Sequence, residues 1–304
     1  MVEGNGLENR RRASDRRFES CPLRQKRLKD TIINNIVSSS PLIPRLIVNV
    51  QKLKTHNSKL ETVRYYMNNQ IPEQIRTELR ANADEKTISN YQRFFKETVK
   101  FYGVSLDTVD KIANNYWKEI RTLDKQEIFD LCEGLFRSDY SEEAVIASVW
   151  TPKLTDKFEP ADLAIFKRWI DSYINDWAKC DGFCNHSVGN FAQKYPESID
   201  EIINWTASPN RWMKRAAAVS LIIPARKGQF LKEIFTISDR LLKDKDDMVQ
   251  KGYGWMLKEA SKLHQDDVYQ YVLEHRKDMP RTALRYAIEK MPPEMKVEAM
   301  KRVV

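Results

Sequence analysis

The chain predicts an all-α fold of HEAT-like helical-hairpin repeats stacked in a curved superhelical solenoid, and three observations carry that expectation. Its 304 residues hold only 9 glycines and 12 prolines, too few for a chain made of tight β-turns. Leu, Ile, Ala, Lys and Glu recur at helical rather than alternating spacing. The C-terminal third carries a repeat of paired helices: Ser198–Ala207 with Asn210–Ile223, Gln229–Lys243 with Asp246–Leu263, and Gln265–Lys277 with Met279–Met291. The second helix of each pair is expected to open with a capping-type residue, Asn210, then Asp246, then Asp278, at spacings of 36 and 32 residues, within the range of helical-hairpin repeats. One hairpin cannot bury its apolar face alone, so the pairs must stack.

In chain order, residues 1–22 are polar, Arg-rich and without periodicity and are expected to be a disordered basic arm, with 23–304 forming a single domain. Helical patterns follow at Leu28–Ser38, Pro44–Lys54, Leu60–Asn68, Pro72–Asn82 and Glu85–Lys100. Phe101-Tyr102-Gly103-Val104 interrupts them, and Ser105 is placed to cap the next helix. Ser105–Thr122, Lys125–Phe136, Ser141–Val149, Pro160–Ile174 and His186–Lys194 complete the series. Pro41, Pro44, Pro72, Pro152 and Pro160 fall at element edges, where proline is tolerated. Between Ile174 and an expected break at Gly182, Trp177 and Asp181 stand four residues apart, so a helix stacks them on one face. A ring and a carboxylate presented together can grip a sugar and stabilise positive charge beside it.

Composition bounds the partners. The chain is 41% hydrophobic and 31% charged, and no apolar run approaches the ~20 residues of a membrane span. With no apolar leader, an intracellular, cytoplasmic and reducing location is expected, nucleoid-associated if the partner is DNA. The net charge of +8 fits an anionic partner, although residues 1–30, with 9 Arg/Lys against 5 Asp/Glu, account for half of it. Cys180, Cys184 and His186 form a C-x3-C-x-H cluster that invites zinc but has neither usual paired spacing. Packing thiols are the expectation, with no metal, no cofactor and a monomer. No P-loop, dinucleotide fingerprint, H-E-x-x-H or G-x-S-x-G occurs, and 4 histidines leave little for a His-based centre.

The second helices carry basic residues in register. Lys251, Trp255, Lys258 and Lys262 share about 60° of arc; Arg211 and Arg215 are four apart in the preceding repeat, and Arg281 and Arg285 in the following one. On the concave face these stripes form a basic groove; elsewhere they are solvated helix faces. Gly252 and Gly254 each cost a helix about 1 kcal/mol, which signals close approach by another helix or a ligand.

Trp177-Ala178-Lys179-Cys180-Asp181, Asn210-Arg211-Trp212-Met213-Lys214-Arg215-Ala216-Ala217, Gly252-Tyr253-Gly254-Trp255-Met256-Leu257-Lys258-Glu259 and Met279-Pro280-Arg281-Thr282-Ala283-Leu284-Arg285-Tyr286-Ala287, in this order and spacing, resemble the AlkD-like DNA glycosylases of DNA alkylation repair. The resemblance covers most of residues 58–292. It implies a HEAT-like superhelix cradling duplex DNA and excising cationic alkylated purines such as N3-methyladenine and N7-methylguanine in base excision repair, without metal or cofactor. The family's essential carboxylate falls on Asp181, its groove tryptophans on Trp177 and Trp255, and its groove arginine on Arg215. Arg211, Lys214, Arg215, Lys251, Lys258, Arg281 and Arg285 are then the expected DNA contacts. The chain departs from the family's Trp-Asp-x-Val-Asp pattern with Ala178 and Cys180, which bears on substrate preference. A carboxylate about 4 Å from the developing charge supplies roughly 4 kcal/mol at a dielectric near 20, on the order of a thousandfold in rate. The alternative is a noncatalytic HEAT-repeat protein binding damaged or structured nucleic acid through the same groove. A protein–protein scaffold predicts apolar or mixed-sign concave residues instead.

Overall fold

The computed structural model describes residues 70–301, all within one compact unit of the chain. The expected arm and the helices expected at Leu28–Ser38, Pro44–Lys54 and Leu60–Asn68 lie outside the described residues. Within them the protein is all-α, with a lone Lys100–Tyr140 bridge as its only extended pairing. The helices are α1 (70–81), α2 (Glu85–Gln92), α3 (Leu106–Ile120), α4 (Lys125–Arg137), α5 (Ser141–Trp150), α6 (Asp162–Tyr173), α7 (Trp177–Phe183) and α8 (Gly189–Lys194). They continue as α9 (Ile199–Asn204), α10 (Arg211–Val219), α11 (Ile222–Arg226), α12 (Leu231–Leu241), α13 (Asp247–Ala260), α14 (Gln265–His275), α15 (Arg281–Ala287) and α16 (Pro293–Met300).

The repeat runs further upstream than its sequence signature. The helices α5, α7, α10, α13 and α15 begin at residues 141, 177, 211, 247 and 281, and each packs on the next in that order. Three of them open on the same device. The side chains of Asp176, Asn210 and Asp246 accept from the backbone N–H of Lys179, Trp212 and Met248 at 2.8–2.9 Å, satisfying donors a helix start leaves free. Asp176 is therefore a buried cap, also 3.3 Å from the Lys179 ammonium.

Behind this layer a cluster of rings holds α7 in place. Phe183, at its end, meets Phe136 edge-on at 5.2 Å and Phe166 at 5.5 Å, the geometry aromatic pairs favour. Gly182 does not break the helix. The chain continues through it into a π-helical turn, Cys184–Val188, before α8. Gly189 then lets α8 approach the end of α10, since a Cβ there would lie 2.8 Å from the Ser220 carbonyl oxygen.

The expected break at 101–104 is a nest for a buried carboxylate. Glu142 accepts from the N–H groups of Tyr102, Gly103 and Val104 at 2.8–3.2 Å, and Gly103 supplies the φ of +91° that bends the chain there.

The largest departure from expectation is at residues 93–99. Helical spacing runs on to Lys100, yet α2 stops at Gln92, because the Gln92 side chain binds the chain that follows. Its amide nitrogen donates to the Glu97 carbonyl (2.7 Å) and its oxygen accepts from the Val99 N–H (3.1 Å). The resulting strap is fastened to the first residue of three successive inner helices. Phe95 stacks on Trp177 at 5.1 Å and 17°, and the Trp177 indole N–H donates to the Phe94 carbonyl at 3.3 Å. Glu97 pairs with Arg211 at 3.3 Å, and Lys96 with Asp247 at 2.7 Å.

Gly254 marks where α13 and α15 come closest. A Cβ there would meet the Ala283 carbonyl oxygen at 2.7 Å and Tyr286 Cβ at 2.8 Å. Alanine gains about 1 kcal/mol in helix propensity over glycine, but the obstacles are backbone and a Cβ rather than a mobile tip, and overpacking costs about 1–3 kcal/mol. Gly254→Ala is therefore expected to lower the denaturant midpoint of unfolding without changing its slope. A midpoint at or above that of the native protein would show that α15 gives way freely.

Candidate functional site

Five inner helices in register place residues at matching positions. Four residues after each helix start stand Val145, Asp181, Arg215, Lys251 and Arg285. Three neighbouring positions therefore hold cations and one holds an acid. Since α7 packs on α10, Asp181 and Arg215 meet: Arg215 Nε donates to Oδ1 at 2.8 Å and Nη2 to Oδ2 at 2.7 Å. The remaining nitrogen, Nη1, donates to the Met248 carbonyl at the start of α13. Gly252 leaves room for this side chain, as a Cβ there would stand 3.3 Å from Arg215 Cγ.

This is a two-pronged ion pair out of solvent, with side chains 6% and 13% exposed. Burial drives the Asp181 carboxyl above its ordinary 3.8, against the downward pull of the Arg215 guanidinium. Burial also opposes the charge on Arg215, and there Asp181 outweighs it and raises the pKa. Arg215 thus has a different occupation from the phosphate contact expected of it. Its guanidinium is spent on the carboxylate and on a backbone carbonyl.

The pair floors a cleft of about 410 Å³ walled by Phe94, Trp177, Met248, Lys251, Trp255, Lys258 and Tyr286. Six of the residues singled out in the sequence, Trp177, Asp181, Arg215, Lys251, Trp255 and Lys258, share this cleft. Trp255 is fixed by an N–H···O bond to Glu259 (3.1 Å), whose buried carboxylate also takes Arg226 and Lys262 at 2.6 Å each. Burial pushes Glu259 up, but these partners leave it below its ordinary value. Lys251 is 3.2 Å from Asp247, and Lys258 is 3.0 Å from Glu289 with its ammonium 5.7 Å from the Tyr286 ring.

The other four expected contacts do not line the cleft. Arg211 is 3.3 Å from Glu97 and 3.0 Å from Asp246, and its guanidinium lies over Trp212 at 4.8 Å. Lys214 pairs with Asp244 at 2.7 Å. Arg281 donates to the Met300 carbonyl at 2.9 Å, and Arg285 is exposed. Cys180 and Cys184 are buried packing residues, the Cys180 thiol donating to the Trp212 carbonyl at 3.7 Å. Among the described residues no cluster of His, Cys, Asp or Glu is placed to hold a metal ion, and no helix is long and apolar enough to cross a membrane.

Phe94, Met248, Tyr286 and Glu259 are the residues that sequence reasoning missed as parts of the site. Glu259 and Tyr286 lie in family-like stretches whose spacing alone assigns them no role. Phe94 was hidden inside an expected helix. Met248 gives its carbonyl to Arg215, a role no side-chain pattern reveals.

A family model described as DNA alkylation repair enzyme matches residues 75–291. A solved structure described as "Predicted DNA alkylation repair enzyme from Enterococcus faecalis" is similar with a TM-score of 0.63 at 16% identity. That match covers 70% of this chain and 98% of the other, and at this identity the likeness is one of fold. No curated protein matches the chain.

Proposed function

The chain belongs to the DNA alkylation repair enzyme family, and from that premise we propose that it is a monofunctional DNA glycosylase. Its substrate is a cationic alkylated purine, N3-methyladenine or N7-methylguanine, in duplex DNA, and the reaction hydrolyses the N-glycosidic bond. The observation that carries this reading is a carboxylate, Asp181, held on the floor of a cleft walled by Trp177, Trp255 and two lysines.

An N-alkylated purine already bears positive charge, so it departs without a general acid. As the bond from C1′ to the purine nitrogen breaks, its electron pair neutralises the base, and the sugar takes on oxocarbenium character. Water then bonds to C1′ and releases a proton. Asp181 opposes the developing charge, and the faces of Trp177 and Trp255 attract it as in cation–π contacts. The ion pair tempers the gain. At a dielectric near 20, a carboxylate 4 Å from the charge supplies roughly 4 kcal/mol, and a guanidinium twice as far away returns half of it. The net ~2 kcal/mol amounts to about thirtyfold rather than a thousandfold. That suits a labile bond and protects undamaged nucleosides.

Lys251 and Lys258 would trade Asp247 and Glu289 for phosphates, with Arg211, Lys214, Arg281 and Arg285 as further contacts that add affinity without reading sequence. Lys251→Gln should weaken binding evenly across DNA sequences and reduce the slope of log K against log salt by about 1. A slope unchanged from the native protein would remove Lys251 from the phosphate contacts.

One observation favours a second reading, in which the groove binds damaged nucleic acid without cleaving it: both Asp181 oxygens are already engaged by Arg215. Base release from duplex DNA carrying N7-methylguanine and N3-methyladenine separates the two. The glycosylase reading expects free base and an abasic product. Salt-sensitive binding with no base release at protein excess would leave the binding reading standing alone.

A further inference from the structure

We propose that Phe94 is a wedge that enters the base stack of the bound duplex beside the lesion, holding it open over the Asp181 cleft. The inference rests on the glycosylase reading for its partner, and on three observations of this structure for its residue.

Phe94 is 72% exposed, the most exposed large hydrophobic side chain among the described residues. It stands on a ridge between two hollows. On one side is the cleft holding Asp181, and on the other an apolar recess of about 270 Å³ lined by Tyr91, Phe95, Phe101, Leu106, Trp177 and Ala178. Its ring is sheltered by neither.

The backbone that presents it is held. The Phe94 carbonyl accepts the Trp177 indole N–H, its neighbour Phe95 stacks on the same indole, and Lys96 and Glu97 are tied to Asp247 and Arg211. A phenyl ring on a fastened strap is carried by backbone already in place, so little backbone ordering is left for binding to impose.

The surroundings select the partner. Lys96, 70% exposed, is two residues away on the strap, and Lys251 and Lys258 line the adjoining wall. An apolar ring among cations fits a polyanion with apolar faces inside it, which describes stacked bases between phosphate backbones. Apolar side chains inserted between base steps unstack and kink a duplex. That opening is what a carboxylate on the floor of a cleft needs to come near the deoxyribose.

The test is a duplex with N7-methylguanine flanked by 2-aminopurine, whose fluorescence rises when it is unstacked, with native protein, Phe94→Ala and Phe94→Leu. The native protein is expected to raise the fluorescence severalfold before base release. Phe94→Ala should lose that rise and slow excision at least about tenfold, the scale of one lost ring–base contact. Phe94→Leu should retain part of both. Melting temperature and salt slope should stay at native values, since the ring is exposed and carries no charge. Native excision without a fluorescence rise, or a Phe94→Ala variant equal to native in rise and rate, overturns the wedge and leaves the glycosylase reading intact. A native protein that neither binds nor cleaves the duplex overturns both.

Discussion

Asp181→Asn is expected to slow base release by at least about thirtyfold, the loss of the net ~2 kcal/mol its charge supplies beside the sugar. Binding to the same duplex should persist, because the lysines that meet phosphate are untouched. The substitution also disturbs a buried pair. Asparagine keeps one acceptor for Arg215 but turns an amide N–H towards the other prong, and breaking such a pair costs about 3–5 kcal/mol. The variant must therefore be assayed well below its melting temperature, with folding followed by circular dichroism in the same buffer. A folded Asp181→Asn protein releasing base at the native rate would remove the carboxylate from the mechanism. The cleft would then be a binding groove alone.

Arg215→Met should produce a different signature, visible in pH. In the native protein burial already holds the Asp181 carboxyl above 3.8 with Arg215 pulling against it. Methionine fills the arginine stem's space but removes the cation, so burial acts unopposed and the carboxyl's pKa climbs further. Only the ionised form opposes the sugar's charge, so excision should fall as pH drops through this value. The variant's acid limb should lie at higher pH than the native limb. Stability should move the other way. A carboxyl whose folded pKa exceeds its unfolded value binds more proton when folded, so acidification from neutral pH stabilises the variant until the unfolded pKa is passed. Single-turnover rates and urea midpoints across pH 5–8 measure both. Coincident acid limbs for the two proteins would mean that Arg215 does not govern Asp181.

The legible part of the fold was the part whose periodicity survives in single residues. Asn210 and Asp246 announce helix starts, and basic pairs four apart announce the inner face. The same repeat begins at Ser141 and Trp177, but its fourth-on residues there are Val145 and Asp181, which break the basic pattern and concealed it. Carried upstream, the register makes Asp181 and Arg215 equivalent positions of adjacent repeats, and hence neighbours. The cleft residues Trp177, Asp181, Trp255, Lys251 and Lys258 were legible because side chains three, four or seven apart share a helical face. The burial of Arg215 was not, since it depends on the space left by Gly252, 37 residues on. Nor was the strap, because residues 93–99 keep helical spacing and are turned aside by one glutamine side chain.

That strap alters how such a chain can come apart. In an array of stacked repeats each unit touches only its neighbours, so folding can begin anywhere and fray freely from an end. Here contacts between residues 83, 114 and 151 positions apart bind the strap to three repeats at once. Closing loops of that length raises contact order, which slows folding, and it joins repeats that would otherwise melt in sequence. Cooperative loss of the stretch from Lys96 to Asp247, measured as amide-exchange protection vanishing together rather than repeat by repeat, is the behaviour this topology dictates.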